Sequence, residues 1–389
     1  MPRLPGAVWA LGLVSLFMDI SSEMIHALLP SFLVVGLGAS PAMLGVIEGV
    51  ADGTAAFARL LSGWLSDRLG TRKWLAGLGY ALAAVSKPLF ALATSAGWVL
   101  GARFVDRLGK GIRGAPRDAL IAELAPPEQH GAAYGLRQAL DSTGAVLGPL
   151  VASALMLLLA GNIRAIFWIA AIPAAISVSL IMAKVSDPPG LCANPDARIP
   201  LRRKDIMRLG AGFWRVVALA GVLLLARFSE AFLLLRGQES GVLAAYLPLL
   251  FVLMNIVFAL AAFPAGALSD RIGRRRLLLA GFVLLAAAEL LLAVPGSTIT
   301  LVAATVLWGL HLALTQGLLV ALVADTAAPE LRGTAFGVLH LVAGVSLFLA
   351  STLAGALWSL FGAAIAVTAA AGLALAGVVA AAVWLPARG

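Results

Sequence analysis

The chain has 389 residues, 61% hydrophobic and only 12% charged, with a mean hydropathy of +0.99. That exceeds the apolar content a soluble domain buries, so most of the chain is expected in lipid. The longest polar stretch, about 186–215, is too short to hold a catalytic core, and the net charge of +9 sits in particular loops and forms no continuous basic face, which excludes a nucleic-acid partner as its meaning.

At roughly 20 apolar residues per crossing, the sequence offers about twelve spans, near 7–29, 42–63, 74–94, 97–118, 134–158, 164–184, 216–236, 244–266, 277–295, 299–322, 335–358 and 362–385. The expected fold is all-α and membrane-embedded. No small-residue cleavage site follows the first segment, which is therefore read as a permanent span. It carries Asp19, Glu23 and His26 at i, i+4 and i+7, on one helical face. Asp19 lies about 18 Å into that helix, near the midplane, where an ionisable group costs a few kcal/mol or more and marks function by default.

The second span puts Glu48, Asp52 and Arg59 on one face, with Glu48 either wet at the outer interface or part of the cluster. Lys87 precedes Pro88 in the third, and Arg103, Asp106, Arg107 and Lys110 form a broad stripe on the fourth. The fifth pairs Arg137 with Asp141 at i, i+4 and holds Gly144, Gly148 and Pro149, a small-residue strip suited to close helix packing. Cys192, the single cysteine, excludes a disulfide within the chain. Later spans hold fewer charges: Arg227 and Glu230, three apart in the seventh, could pair with each other or face the first-half cluster, and Glu289 alone in the ninth reads as a packing or snorkelling residue. His26, His311 and His340, single histidines on separate helices, favour packing over a metal site.

The chain repeats itself. Gly63-Trp-Leu-Ser-Asp67-Arg68-Leu-Gly70-Thr-Arg72-Lys73 recurs as Gly266-Ala-Leu-Ser-Asp270-Arg271-Ile-Gly273-Arg-Arg275-Arg276, and the run from Glu123 to Gly135 recurs from Asp325 to Gly337 in nearly the same register. Two six-helix halves follow, 1–185 and 216–389, joined by a linker over 186–215. Lys and Arg gather in the repeat loops and the linker, with Arg113, Arg117 and Arg332 counted on that side, while Arg164 and Arg236 stand opposite. The positive-inside rule then places both termini and the linker in the cytoplasm.

Both repeat loops resemble the signature loop of the major facilitator superfamily. The resemblance implies that Gly63, Asp67, Arg68, Gly70 and Arg72, with Asp270, Arg271, Gly273 and Arg275, form a cytoplasmic gating cluster. Arg107-Leu-Gly-Lys110-Gly111 is similar to the superfamily's R-x-x-Q-G motif, with Lys110 at the glutamine position. Gly144-Ala-Val-Leu-Gly148-Pro149 resembles the start of the antiporter motif, with Ala152 and Ser153 at the trailing glycines. Asp19 with Ala27-Leu-Leu-Pro30 resembles the first helix of drug exporters, at a spacing two residues longer.

The expected function is proton-coupled secondary transport of a small solute across a bacterial inner membrane by alternating access, export first, by a monomer. The coupling and cavity residues are Asp19, Glu23, Asp52, Arg103, Asp106, Arg107, Lys110, Asp141, Arg227 and Glu230, with Asp19 or Glu23 as the protonatable group and Arg107 as its switching partner. Import of a metal chelate or organic ion, and export of a divalent metal ion by Asp19, Glu23, His26 and Asp52, stand as alternatives. The sequence holds no nucleotide loop, H-E-x-x-H or G-x-S-x-G, so neither an enzyme nor a cofactor is expected.

Overall fold

A computed structural model describes residues 4–187, 201, 203–294, 296–328 and 331–384, leaving aside the side chains of Asp67, Ala267, Asp270 and Ala324. The Asp67 and Asp270 carboxylates, together with Cys192, Arg198, Arg202 and Glu330, therefore lie outside the described residues. The described residues are helical almost throughout. The long helices are α1 (Gly6–His26), α2 (Pro41–Leu69), α3 (Arg72–Ala91), α4 (Ala96–Leu124), α5 (His130–Leu158), α6 (Ile163–Lys184), α7 (Ala211–Ala226), α8 (Ala231–Glu239), α9 (Pro248–Ile272), α10 (Arg274–Ala293), α11 (Thr298–Thr326), α12 (Arg332–Phe361) and α13 (Ala363–Trp384).

These runs are helical because in hydrocarbon each backbone N–H and C=O must find its partner within its own segment. Polar caps start several of them: Ser95 accepts from Trp98 N at 3.3 Å, Asn162 from Ala165 N at 3.1 Å and Ser297 from Thr300 N at 3.3 Å. Gly70 and Gly273, corresponding glycines of the repeat, turn the chain between helices at φ +62° and +90°, a conformation a side chain would strain.

Among the described residues ten helical segments are long and apolar enough to cross a membrane, one of them the interrupted stretch Ala211–Glu239. Helices α2 and α4, each 29 residues long, have the length as well but carry more charge. Large apolar side chains such as Val85, Leu158, Phe263, Ile299 and Leu360 are exposed, as lipid-facing residues are.

The chain divides into two compact units, Met1–Phe32 with Thr54–Ile199 and Leu33–Gly53 with Pro200–Gly389. Helix α2 thus contributes its first part to the second unit and the rest to the first. Within the first unit α1 packs on α5 and α6, and α3 on α4 and α6; within the second, α7 packs on α12 and α13, and α10 on α11 and α13. This is the same pairing, helix for helix, so the sequence repeat is also a repeat of packing.

Small residues make these crossings close, as they must where lipid offers helices no hydrophobic gain on association. A Cβ at Gly79 of α3 would lie 2.7 Å from Gly109 O of α4, and one at Gly111 of α4 would lie 2.7 Å from Ala55 O of α2. In the second unit a Cβ at Gly309 of α11 would meet Met254 O of α9 at 2.7 Å. A core of Leu11, Val14, Met18, Tyr80, Leu120, Ile121 and Ile181 fills the first unit between α1, α3, α4 and α6.

The expected seventh span, 216–236, is broken. Helix α7 ends as Arg227 turns extended (φ −83°, ψ 95°), and α8 begins after Glu230. Side chains satisfy groups released at the break: Ser229 N donates to Ser351 Oγ at 3.2 Å, and Ala231 N donates to Ser229 Oγ at 3.3 Å. The Ser229 hydroxyl donates in turn to Glu48 Oε2 at 3.3 Å. Glu48 is 2% exposed, so it belongs to the packed interior and not to a wet interface.

Candidate functional site

Helix α4 carries Arg103, Asp106, Arg107, Lys110, Arg113 and Arg117 at three- and four-residue steps, which stacks them along one face. All but Lys110 are buried, and Lys110 is half-buried. Glycines let this charged helix enter the bundle: Gly109 faces α3, and Gly111 faces α2, where its carbonyl accepts from Ser62 Oγ at 3.1 Å.

Asp106 is the hub of the lower cluster. Its Oδ1 accepts from Lys87 Nζ at 2.7 Å, and the Ser86 hydroxyl reaches the same oxygen at 3.3 Å. Arg107 Nε and Arg103 Nη1 stand 3.6 and 3.8 Å from Oδ2. Lys87 also donates to Ser22 Oγ of α1 at 3.0 Å, tying three helices together at one ammonium. Such a pair offsets the cost of desolvating both ions only because the geometry is close and additional donors complete it.

The acids of α1 form the opposite wall. Asp19 Oδ1 is 4.0 Å from Arg113 Nη2, and Glu23 Oε2 is 3.4 Å from His26 Nδ1. Lys110 interacts electrostatically with Asp19 and Glu23, and Arg107 with Glu23. The glycine strip of α5 seats this face: a Cβ at Gly144 would lie 2.9 Å from Asp19 Cβ, and one at Gly148 would lie 2.7 Å from Glu23 Cβ and 2.8 Å from Ile20 O. Pro149 follows, buried within α5.

A polar chain continues from there. The Arg113 guanidinium sits 4.9 Å from the Tyr80 ring centre, and the Tyr80 hydroxyl is 3.3 Å from Ser15 Oγ, which accepts from Arg117 Nη1 at 3.0 Å. Arg117 pairs with Asp118 at 3.0 Å, and Arg137 with Asp118 at 3.7 Å and Asp141 at 2.9 Å. Arg113 and Arg117, at the end of the expected fourth span and counted from sequence on the cytoplasmic side, are thus buried helix residues. The sequence reading leaves them out of the candidate cluster because their charge counts toward topology, although their spacing already matches the α4 stripe.

The second unit holds a sparser set. Arg227 lies at the α7–α8 break within electrostatic reach of His311, whose Nδ1 donates to Gly281 O at 2.8 Å. Among the described residues no ion pair joins Arg227 to Glu230. Asp52 lies half-buried on the part of α2 that belongs to this unit. Glu289 is fully buried, which excludes snorkelling.

In the loop repeats, Gly63 is 3.4 Å, at its Cβ position, from Ala115 Cβ, and Arg68 lies 5.4 Å from the Trp64 ring centre. Arg72 pairs with Glu123 at 2.6 Å, and Arg274 pairs with Asp325 in the second unit. Arg275, which the repeat aligns with Arg72, donates to Ala382 O, and its neighbour Arg274 makes the ion pair equivalent to Arg72–Glu123. Arg271 is exposed. Among the described residues no group of three or more His, Cys, Asp or Glu is placed to hold a metal ion.

The repeated helix packing and the number of helices long and apolar enough to cross a membrane are those of a multi-pass membrane protein. The chain belongs to the Major Facilitator Superfamily, whose family model matches residues 11–254 and 231–389. It is 32% identical over 361 residues, 91% of this chain and 88% of the relative, to an uncharacterised MFS-type transporter of Methanocaldococcus jannaschii. Over 147 residues, 38% of this chain and 34% of the relative, it is 33% identical to the multidrug resistance protein MdtH of Photorhabdus laumondii. The crystal structure of the nucleoside transporter NupG, 15% identical, has the same fold, with a TM-score of 0.77 over 98% of this chain and 99% of that one.

Proposed function

We propose that the protein is a proton-coupled exporter of a small solute, working by alternating access as a monomer in a bacterial inner membrane, with both termini in the cytoplasm. The observation that carries this reading is the seating of Asp19 and Glu23 against Gly144 and Gly148, opposite Lys110 and Arg113. An intramembrane carboxylate held near, but not locked to, a base can take up a proton when helix movement draws that base away and release it when the base returns. Arg113 stands 4.0 Å from Asp19, and Glu23 meets His26 at 3.4 Å with Lys110 and Arg107 also acting on it, so the switching partners are the bases Arg107, Lys110 and Arg113 of α4 together with His26. The partial match to a multidrug resistance protein supports the export direction.

The gating role of Gly63, Asp67, Arg68, Gly70 and Arg72, and of Asp270, Arg271, Gly273 and Arg275, belongs to the same proposal. Arg72–Glu123 and Arg274–Asp325 support it by tying the start of one helix to the end of the next in each unit. The test is substrate entry into inside-out vesicles that hold an inside-acid gradient. Antiport predicts that entering substrate discharges the gradient. A substrate that moves with protons in the other direction would establish import, and movement unaffected by collapse of the gradient would rule out proton coupling. Asp19→Asn and Glu23→Gln should each abolish the gradient-driven component; if both retained it in full, these acids are not the coupling groups.

A further inference from the structure

The cations of the first unit outnumber its acids around the α1–α4 wall. Asp106 is already surrounded by Lys87, Arg103 and Arg107, leaving Asp19 and Glu23 to face Lys110 and Arg113 as well. More telling is where the donors point. Arg107 Nε, 3.6 Å from Asp106 Oδ2, and Arg113 Nη1, whose neighbour Nη2 is 4.0 Å from Asp19 Oδ1, are buried and make no hydrogen bond among the described residues. Lys110, between them on the same face of α4, is half-buried and interacts electrostatically with Asp19 and Glu23.

An unmet cationic donor in a dry interior costs far more than an unmet donor in water. Two of them on one helix face, with the half-buried Lys110 between them, therefore describe a place made for something that brings oxygen acceptors and negative charge. Arginine offers two parallel N–H donors to a planar carboxylate or to a tetrahedral phosphate or sulfonate, and lysine adds a movable point charge.

We infer that Arg107, Lys110 and Arg113 form the binding site for an anionic substrate, a small molecule bearing a carboxylate, sulfonate or phosphate group. This deepens the transport reading and rests on it in treating the ligand as cargo. The same arrangement assigns a second task to Asp19 and Glu23. They are the counter-charges these bases keep when the site is empty, and an arriving anion competes with them for the same bases. A cationic drug would meet the cluster with repulsion, so the site selects by charge sign before it selects by shape.

The test measures binding in detergent to the purified full-length chain, with no gradient present. The probes are carboxyfluorescein, pyrenesulfonate and methylumbelliferyl phosphate, set against the neutral dye pyrenemethanol and the cation ethidium. At least one anion should bind at least about tenfold more tightly than either control. Lys110→Gln, at a half-buried position, should weaken that binding by about tenfold or more while Lys110→Arg retains it. Controls bound as tightly as the anions, no anion bound at all, or Lys110→Gln binding unchanged would each overturn the inference. Transport is then assayed separately in vesicles: anion binding without gradient-driven movement would preserve this site and refute the coupled-transport reading, whereas gradient-driven movement of ethidium without anion binding would do the reverse.

Discussion

Asp106 holds three buried cations with one carboxylate, and that asymmetry decides what its loss and theirs would do. In Lys87→Met, Asp106 keeps Arg103 and Arg107 within 4 Å. In Asp106→Asn, all three cations lose their anion together, the situation in which breaking a buried pair costs roughly 3–5 kcal/mol. Asp106→Asn should therefore lower the thermal unfolding midpoint in detergent well below that of Lys87→Met. Equal shifts would mean that the cluster does not act as a hub. Gly148 gives a second residue-scale prediction. The Cβ of Gly148→Ala would press on Glu23 Cβ and Ile20 O, both under 3.0 Å away, and one of these is backbone that cannot rotate aside. Forcing α1 and α5 apart should cost about 1–3 kcal/mol and should cut transport more than Gly131→Ala, a position with open space around it.

At the scale of elements, the break between α7 and α8 shows what a sequence reading of this chain could and could not see. Arg227, Phe228, Ser229 and Glu230 include neither Gly nor Pro, so nothing local announces an interruption. The groups that make it tolerable, Ser351 and Glu48, come from α12 and α2 and are far away in the chain. By contrast, the Asp19–Glu23 face was legible because i, i+4 spacing fixes a shared face whatever the neighbours are, and the glycines of α5 were legible because few other reasons place two of them four apart beside a proline. Which acid meets which base depends on helix rotation, and spacing does not carry that information; Lys87 with Asp106 and Arg113 with Asp19 emerged only in the fold. The break also gives an element-scale prediction. Ser351→Ala removes the acceptor for Ser229 N and strands a buried donor, so it should destabilise the chain by about 1–3 kcal/mol. Thr368→Ala, which loses an exposed hydroxyl bonded within its own helix, should be near neutral; chemical denaturation of the two variants compares them directly.

At the scale of the whole molecule, the orientation in the membrane turns on which basic residues count as loop residues. Burial of Arg113 and Arg117 in α4 removes two from the set that argued for a cytoplasmic side. Those that remain, Arg68, Arg72 and Lys73 around the first repeat turn and Arg271, Arg274, Arg275 and Arg276 around the second, occupy equivalent turns between helices, so the bias survives in both halves of the chain. The opposite turns gain nothing from the correction. Arg164 donates to Ala91 O at 2.9 Å and lies 5.2 Å from the Phe32 ring centre, and Arg236 donates to Leu292 O at 2.8 Å, so both are engaged by the protein itself. Alkaline phosphatase fused into the turn at 92–95, between α3 and α4, should accordingly be active outside the cytoplasm. The same enzyme fused at the Gly70–Thr71 turn should be inactive, and a fluorescent protein at the C-terminus should fold and emit. The reverse pattern at both turns would invert the molecule and place the repeat loops outside. Neutralising Arg72 and Lys73 together should weaken the pattern at the first turn more than at the second, because orientation is set by charge counted turn by turn and not by the net charge of the chain.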